Sequence, residues 1–169
     1  IAYWAALARL RRKAYNWEAL LSRSLFAVED LTFNCILVRA NTCLAEIASA
    51  INESLPDEIA QSFARTETAL EGLWDETIGQ YFSRSFVSHK LIEEPTIGTL
   101  LPLYAKKVAP EKAKLLLQML KSPGLFGASW PLPSVPLNSP HFNPFKYWQG
   151  PAWTNINWIV IQELKLNRF

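Results

Sequence analysis

"DLTFNCILVRANTCLAEIASAIN", residues Asp30 to Asn52, is the segment from which the architecture of this chain is predicted. At about 100° per residue, its polar residues fall on two sides of a helix. One stripe holds Thr32, Arg39, Thr42, Glu46 and Ser49, and the other holds Asp30, Asn34 and Asn41 among Leu37, Ala45 and Ala48. A helix of this kind suits an inner wall that lines a cavity at one end, so Asp30 and Asn34 are candidate pocket-lining residues. The pattern also fits Asn34 and Asn41 satisfying neighbouring backbone groups.

Helical periodicity covers most of the first 120 residues. The predicted helices around Asp30–Asn52 are Ala2–Arg12, Trp17–Arg23, one that starts at Pro56 with Asp57 and Glu58 in its first turn, Thr96–Lys107 and Pro110–Lys121. Between them the helical period breaks. Gly79, followed by Tyr81, Phe82, Phe86 and Val87, predicts a short β-hairpin.

The chain from Pro123 to Pro144 is rich in proline and predicts an irregular loop that projects from one end of the helices. A last helix is expected to start at Pro151, because proline fits the first helical turn. The prediction is therefore a single all-α domain over residues 1–169, with about seven paired helices, a small hairpin and a long Pro-rich loop.

Composition excludes two classes of partner. Seventeen Lys and Arg against fifteen Asp and Glu give a net charge of only +2, which argues against a nucleic-acid-binding surface. No apolar run approaches the roughly 18 residues that indicate a membrane span.

On one helix Cys35 and Cys43 would lie about 12 Å apart, too far for a disulfide. Reduced thiols fit a cytoplasmic protein.

"KYWQGPAWTNINW", residues Lys146 to Trp158, places three tryptophans and a tyrosine around a turn. Tyrosine and tryptophan offer flat apolar faces with a polar group at the edge, which suits the C–H faces and hydroxyls of a sugar ring. Tyr147, Trp148 and Trp153 are therefore a candidate sugar subsite, and Gly150 would allow close approach of a ligand. The alternative is a buried hydrophobic plug that holds no ligand.

"FNPFKYWQGPAWTNINW" resembles the motif F-x-P-x-x-Y-W-R-G-P-x-W-x-x-x-N-W of the mannosylglycerate-hydrolase-like glycosidases, relatives of glycoside hydrolase family 63 with an (α/α)6 barrel. "FAVEDLTFNCILVRANTCLAEIA", "LWDETIGQYF" and "TIGTLLPLYA" resemble further segments of that family, so the likeness covers most of Phe26–Phe169. The resemblance implies a hydrolase of carbohydrate metabolism that acts on an α-glucoside or α-mannoside. It also implies that the chain is the incomplete C-terminal part of the catalytic domain, a partial (α/α)6 toroid.

The same resemblance implies which residues bind the substrate. In the family the matching tyrosine, tryptophans and glycine line the sugar pocket, and here they are Tyr147, Trp148, Gly150 and Trp153. Gln149 stands where the family usually has arginine, which removes a fixed positive charge from the pocket.

Inverting glycosidases such as these use an acid and a base about 6.5 to 9.5 Å apart. The resemblance implies that the acid precedes the first helix seen here and that the base follows the last one. No catalytic residue is therefore assigned, and the isolated chain is expected to be inactive. The other carboxylates are expected to have structural roles: Asp30 as a helix cap, Asp75 and Glu76 in a turn, Glu93 and Glu94 in a loop, and Glu163 on the surface. Glu29 is a further carboxylate that matches no catalytic position.

No metal or cofactor is expected. His89 and His141 lie far apart in the sequence without Cys or acidic residues at ligand spacing, and no Gly-rich phosphate loop occurs. The expected partner is a carbohydrate, and unpaired helical faces predict self-association. The alternative interpretation is a non-catalytic helical module that binds carbohydrate or another protein.

Overall fold

The computed structural model describes residues 2–21, 27–105, 108–128 and 131–166, without the side chains of residues 2, 3, 163 and 166. Within these ranges the chain forms six α-helices, one 3₁₀ helix and four two-residue strands. The helices are α1 (Ala2–Arg12), α2 (Trp17–Leu21), α3 (Leu31–Ala50), α4 (Asp57–Glu71), the 3₁₀ helix (Ile97–Ala105), α5 (Pro110–Lys121) and α6 (Thr154–Leu166). The strands are β1 (Val28–Glu29), β2 (Trp74–Asp75), β3 (Gln80–Tyr81) and β4 (Arg84–Ser85). The predicted extension of α2 to Arg23 lies outside the described residues.

The 3₁₀ helix is the centre of the core, and it packs against α3, α5 and α6. Its buried leucines share one apolar cluster with Leu70 of α4, Leu116 of α5 and Val160 of α6. Periodicity predicts an α-helix here. Pro102 lies inside the segment, and proline both lacks an N–H and clashes with the carbonyl four residues earlier, which explains the tighter winding. Lys106 and Lys107, the predicted end of this helix, lie outside the described residues.

Helix α3 begins at the predicted position, because Asp30 caps it. The Asp30 carboxylate accepts a hydrogen bond from the backbone N–H of Phe33 (2.8 Å), an interaction that satisfies one of the unpaired donors of the first turn. Asn34 donates from its side-chain amide to the Asp30 carbonyl (2.7 Å). This bond confirms the alternative in which Asn34 satisfies a neighbouring backbone group. Asn41 is buried.

The 3₁₀ helix approaches the first turn of α3 very closely. A Cβ atom added to Gly98 would lie 2.5 Å from the Thr32 hydroxyl oxygen, a distance that real side chains do not tolerate. Glycine at this position therefore permits the contact between the two helices.

The β-structure differs from the predicted hairpin. Strand β2 pairs with β3 in an antiparallel hairpin, whereas β4 pairs with β1. The hairpin thus begins at Trp74, and Phe86 and Val87 are not part of it. The Asp75 carboxylate accepts hydrogen bonds from the backbone N–H groups of Thr77 and Ile78 (both 2.8 Å), which confirms its predicted role in a turn.

The Pro-rich segment is irregular, as predicted, but it does not simply project from the helices. Its central residues Leu132, Ser134, Val135 and Pro136 are buried. The reason is that the side-chain amide of Asn157, in α6, forms hydrogen bonds with the backbone of Leu132.

Helix α6 starts at Thr154, three residues after the predicted Pro151. The Asn157 N–H donates to the Trp153 carbonyl (2.9 Å) at the start of the helix. The Trp153 indole N–H donates to the Tyr147 carbonyl (3.2 Å), so residues 151–153 are held in the preceding turn. Within the described ranges, no helix has the length and apolar character needed to cross a bilayer.

Candidate sugar-binding site

The three aromatic residues predicted to form a sugar subsite lie together at the surface. The Trp148 and Trp153 rings stack with centroids 4.7 Å apart and an interplanar angle of 24°. The Tyr147 ring meets both of them edge-on, at 6.0 and 4.6 Å. Tyr147 is 70% exposed and Trp148 is 44% exposed. The cluster is therefore not a plug sealed in the interior, although its rings cover part of one another.

Gly150 positions this cluster through its lack of a side chain. A Cβ atom at Gly150 would lie 2.5 Å from the Asn143 carbonyl oxygen and 2.7 Å from its carbon. The close approach at Gly150 is thus made by the backbone of Asn143. The residue is buried, and its N–H donates to the Ser134 hydroxyl (2.9 Å).

Ser134 connects the aromatic turn to the core. Besides its hydroxyl bond to Gly150, its carbonyl accepts a hydrogen bond from the N–H of Ile97 (2.9 Å), at the start of the 3₁₀ helix. The buried part of the Pro-rich segment therefore fixes the position of Trp148 relative to α3 and the 3₁₀ helix.

A hollow of about 390 Å³ lies between these elements. Its volume is within the range of roughly 300 to 1,000 Å³ of small-molecule sites. The residues that line it come from α3 and its cap, the 3₁₀ helix, the Pro-rich segment, the aromatic turn and α6: Asp30, Thr32, Phe33, Thr96, Ile97, Gly98, Ser134, Trp148 and Ile156. Two aromatic side chains, one carboxylate and three hydroxyls thus meet in one hollow.

The predicted site residues are distributed unevenly around this hollow. Trp148 and Asp30 line it. Tyr147 and Trp153 contact Trp148 from outside the lining, and Gly150 donates its N–H to the lining residue Ser134. Among the described residues, Asn34 and Gln149 are not part of the lining; Asn34 is bonded to the Asp30 carbonyl, and Gln149 is exposed.

Sequence reasoning missed the hydroxyl-bearing residues of the hollow. Periodicity places Thr32 only in a polar stripe of α3, and Thr96 and Ser134 carry no local signal. Thr96 accepts a hydrogen bond from the N–H of Gly98 (3.2 Å), which is a local turn interaction. Their convergence depends on the packing of segments up to 102 residues apart (Thr32 to Ser134).

The carboxylates outside the hollow are engaged or exposed. Glu29 accepts two hydrogen bonds from the guanidinium of Arg84 (2.8 and 2.6 Å), which joins β1 to β4. Glu76, Glu93 and Glu94 are exposed, which agrees with their predicted turn and loop positions. The side chain of Glu163 lies outside the described residues.

A second polar cluster is separate from the hollow. The Tyr81 hydroxyl donates to one oxygen of Glu71 (3.1 Å), and the Lys112 ammonium donates to the other (2.7 Å). The ammonium also lies 4.9 Å from the centre of the Trp74 ring. Burial, and then the Glu71 charge, raise the pKa of Tyr81 well above its ordinary value. This cluster joins α4, α5 and the hairpin, and its role is structural.

The comparisons with known proteins agree with these features. The family model of the mannosylglycerate hydrolase MGH1-like glycoside hydrolase domain matches residues 3–165. The chain is 39% identical over 160 residues to the mannosylglycerate hydrolase of Thermus thermophilus, covering 95% of this chain and 38% of that protein. It is 32% identical over 164 residues to mannosylglycerate hydrolase MGH1 of Selaginella moellendorffii, covering 96% of this chain and 33% of that protein.

The structural comparison gives the same relationship. The crystal structure of the GH63 mannosylglycerate hydrolase from Thermus thermophilus in complex with glucose superposes with a TM-score of 0.88 at 38% identity, over 99% of this chain and 42% of that chain. The predicted all-α class, a partial (α/α)6 toroid, is confirmed. The chain spans about two fifths of the length of this solved relative and 33 to 38% of the two curated ones. It belongs to the mannosylglycerate hydrolase MGH1-like glycoside hydrolase domain family.

Proposed function

We propose that this chain forms the sugar-binding side of a glycoside hydrolase catalytic domain, and that the protein containing it hydrolyses an α-linked glucoside or mannoside with inversion. The observation that carries the proposal is the hollow of about 390 Å³ in which Trp148 meets Asp30 and Thr32. Related proteins support the choice of substrate class. The two curated relatives are mannosylglycerate hydrolases, and the solved mannosylglycerate hydrolase from Thermus thermophilus is in complex with glucose.

In this proposal Trp148 is the main sugar-contacting residue. Its ring is stacked on Trp153, so the ring has one face covered and the other side available to the C–H face of a pyranose. Tyr147 lies beside the Trp148 ring. Its own ring is exposed, and it supplies a phenol group to the substrate. Gly150 acts by letting the turn close against Asn143.

The polar partners of the sugar are the Asp30 carboxylate and the Thr32 hydroxyl. A carboxylate accepts hydrogen bonds and a hydroxyl both donates and accepts, which matches the needs of adjacent sugar hydroxyls. One Asp30 oxygen caps α3, so the carboxylate is held in place for its second oxygen to face a ligand. Gln149 is an exposed neighbour of Trp148 and adds an uncharged amide near the rim.

We infer that the catalytic acid and base come from parts of the glycosidase that this chain does not contain. Residues 1–169 then act as one unit, the C-terminal part of the catalytic domain, which binds sugar without cleaving it. A cytoplasmic location fits Cys35 and Cys43, which form no disulfide.

Tryptophan fluorescence titration tests the proposal. The isolated chain is titrated with methyl α-mannoside, methyl α-glucoside and D-glycerate, with glycerol as the control solute. A saturable change with at least one of the glycosides, and none with glycerol, is expected. Free mannose or glucose is measured in parallel, using model α-glycosides. No response to any glycoside would contradict the sugar site, and clear turnover would contradict the assignment of both catalytic groups to other parts of the protein.

A further inference from the structure

The hollow next to Trp148 carries an unbalanced negative charge. Among the described residues that line it, Asp30 is the charged one, and none is a lysine, an arginine or a histidine. Within the same part of the chain, Asp30 forms no ion pair. A ligand in the hollow therefore meets a carboxylate that no described side chain neutralises.

The start of helix α3, which faces the hollow, does not reverse this charge. A helix N-terminus carries about half a positive charge and binds anions through its free N–H groups. Here the Leu31 N–H donates to the Ser83 hydroxyl (3.1 Å), and the Phe33 N–H donates to the Asp30 carboxylate (2.8 Å). These donors are already engaged, and the full negative charge of Asp30 exceeds the partial charge of the helix end.

The neighbouring basic groups leave Asp30 unpaired as well. Glu29 binds the guanidinium of Arg84 (2.6 Å), so that pair contributes no net charge. In the aromatic turn Gln149 is uncharged, and Lys146 is exposed and outside the lining. Solvent ions screen an exposed ammonium group of this kind.

We propose that Asp30 determines substrate specificity by charge: a glycoside with a protonated amine binds this hollow more tightly than the neutral glycoside, and one with a carboxylate binds more weakly. This rests on the proposed function, because it requires that the sugar binds in the hollow. One Asp30 oxygen caps α3, and a carboxylate retains further acceptor sites for a cationic donor.

Coulomb's law gives the expected size of the effect. Two unit charges about 6 Å apart change an affinity about threefold in water and about a hundredfold at the effective dielectric constant of a protein surface. Asp30 is half-buried, so its environment lies between these limits. We expect about a tenfold change in Kd from the cationic to the neutral glycoside, and again from the neutral to the anionic one.

The test uses three glycosides that differ at one carbon: methyl 6-amino-6-deoxy-α-glucoside, methyl α-glucoside and methyl α-glucuronide, with the three corresponding mannosides. Their Kd values are measured at pH 7 by tryptophan fluorescence titration of the chain. Asp30→Asn removes the charge and keeps an acceptor for the Phe33 N–H, since asparagine is also a favourable N-cap. Glu46→Gln is the matched control, because it removes one charge at an exposed position of the same helix, about 24 Å along its axis.

The ratio of the Kd values for the anionic and cationic glycosides is the quantity compared. It should be large in the parent and in Glu46→Gln, and should fall to within about threefold of one in Asp30→Asn, the residual that charges acting through water would give. Equal ratios in the parent and Asp30→Asn would overturn the proposal. So would tighter binding of the glucuronide, or loss of binding for both substituted sugars, since the shape at C6 would then decide.

Salt dependence separates a charge effect from a structural one. Raising the salt from about 0.01 to about 1 M shortens the screening length from about 30 to about 3 Å, so the parent ratio should shrink several-fold and that of Asp30→Asn should hardly change. A parent ratio that is independent of salt contradicts the proposal, even if Asp30→Asn does not fold. Neutral glycosides that bind without any charge preference overturn this inference alone, whereas absence of binding by every glycoside contradicts the proposed function and this inference with it.

Discussion

The side-chain amide of Asn157 pairs with both backbone groups of Leu132. Its oxygen accepts from the Leu132 N–H (2.8 Å), and its nitrogen donates to the Leu132 carbonyl (3.1 Å) and to the Trp153 carbonyl (3.1 Å). Leu132 and Asn157 are both buried. One side chain of α6 therefore holds the Pro-rich segment against the core and, through that segment, positions the aromatic turn.

Replacement of Asn157 should destabilise the fold. Asn157→Ala leaves the buried N–H and carbonyl of Leu132 without partners, at a cost of about 1 to 3 kcal/mol. Asn157→Asp keeps the acceptor and loses the donor, so it should also destabilise. The free energy of unfolding is measured in urea, with Asn155→Ala, an exposed position of the same helix, as the control. A change for Asn157→Ala no larger than for Asn155→Ala would show that the Leu132 pairing contributes little.

Substitution of Gly150 should disturb the aromatic turn. Gly150→Ala places a methyl group 2.5 Å from the Asn143 carbonyl oxygen, so the backbone must shift, at a cost of about 1 to 3 kcal/mol. Gly124→Ala is the matched control, because the nearest atom would be 3.8 Å away. Unfolding in urea and near-UV circular dichroism of the tryptophans are measured. Equal stability of the two variants would contradict the tight contact between Gly150 and Asn143.

Loss of Trp148 should abolish the response to sugar. Trp148→Ala removes the aromatic face that lines the hollow, whereas Trp158→Ala removes an exposed indole that does not belong to the lining. Sugar stacking on an indole depends on that face, so only Trp148→Ala should lose the fluorescence change with methyl α-glycosides. Asp30→Asn should weaken binding while keeping an acceptor for the Phe33 N–H. Retained binding in Trp148→Ala would mean that the sugar binds elsewhere.

The Tyr81 cluster predicts a loss of stability in alkali. The fold raises the pKa of Tyr81 above its ordinary value of 10.0, so above about pH 10 the unfolded chain releases a proton that the folded chain retains. The free energy of unfolding should therefore fall as pH rises through this range. The free energy of unfolding of Tyr81→Phe should fall less steeply between pH 9 and pH 11. Glu71→Gln should give an intermediate slope, because burial, the larger cause, remains.

The measurement is urea unfolding at a series of pH values. The slope of the free energy of unfolding against pH is compared between the proteins, rather than their absolute stabilities. At neutral pH the loss of the Glu71–Lys112 ion pair should itself cost less than about 1 kcal/mol, because the Glu71 side chain is 42% exposed. A parent slope equal to that of Tyr81→Phe would contradict the prediction.

Local interactions made much of this fold predictable from the sequence. The Asp30 cap, the proline at the start of α5 and the turn around Asp75 act within a few residues, and the structure confirms each of them. The resemblance of the aromatic segment to a glycosidase motif likewise indicated the family, since such a motif depends on residue order alone.

Other features depended on contacts between distant segments. The 3₁₀ winding of Ile97–Ala105 follows partly from Pro102, but the burial of nearly all its residues comes from α3, α5 and α6. The burial of the Pro-rich segment depends on Asn157, 25 residues after Leu132. Periodicity did not predict the burial of the 3₁₀ helix or of the Pro-rich segment. The period of a sequence indicates which residues share a face of one element, and not which other segments pack against that face.

The sequence by itself determined the helical class, most helix starts and the aromatic residues of the candidate site. Only the tertiary structure decided that Trp148 shares a hollow with Asp30 and Thr32 while Tyr147 and Trp153 support it from outside. It also showed that one apolar face of α3, which includes Phe33, Leu44 and Ile47, is exposed rather than part of the core. The physical reason is that burial is a property of neighbouring segments, which no single stretch of sequence contains.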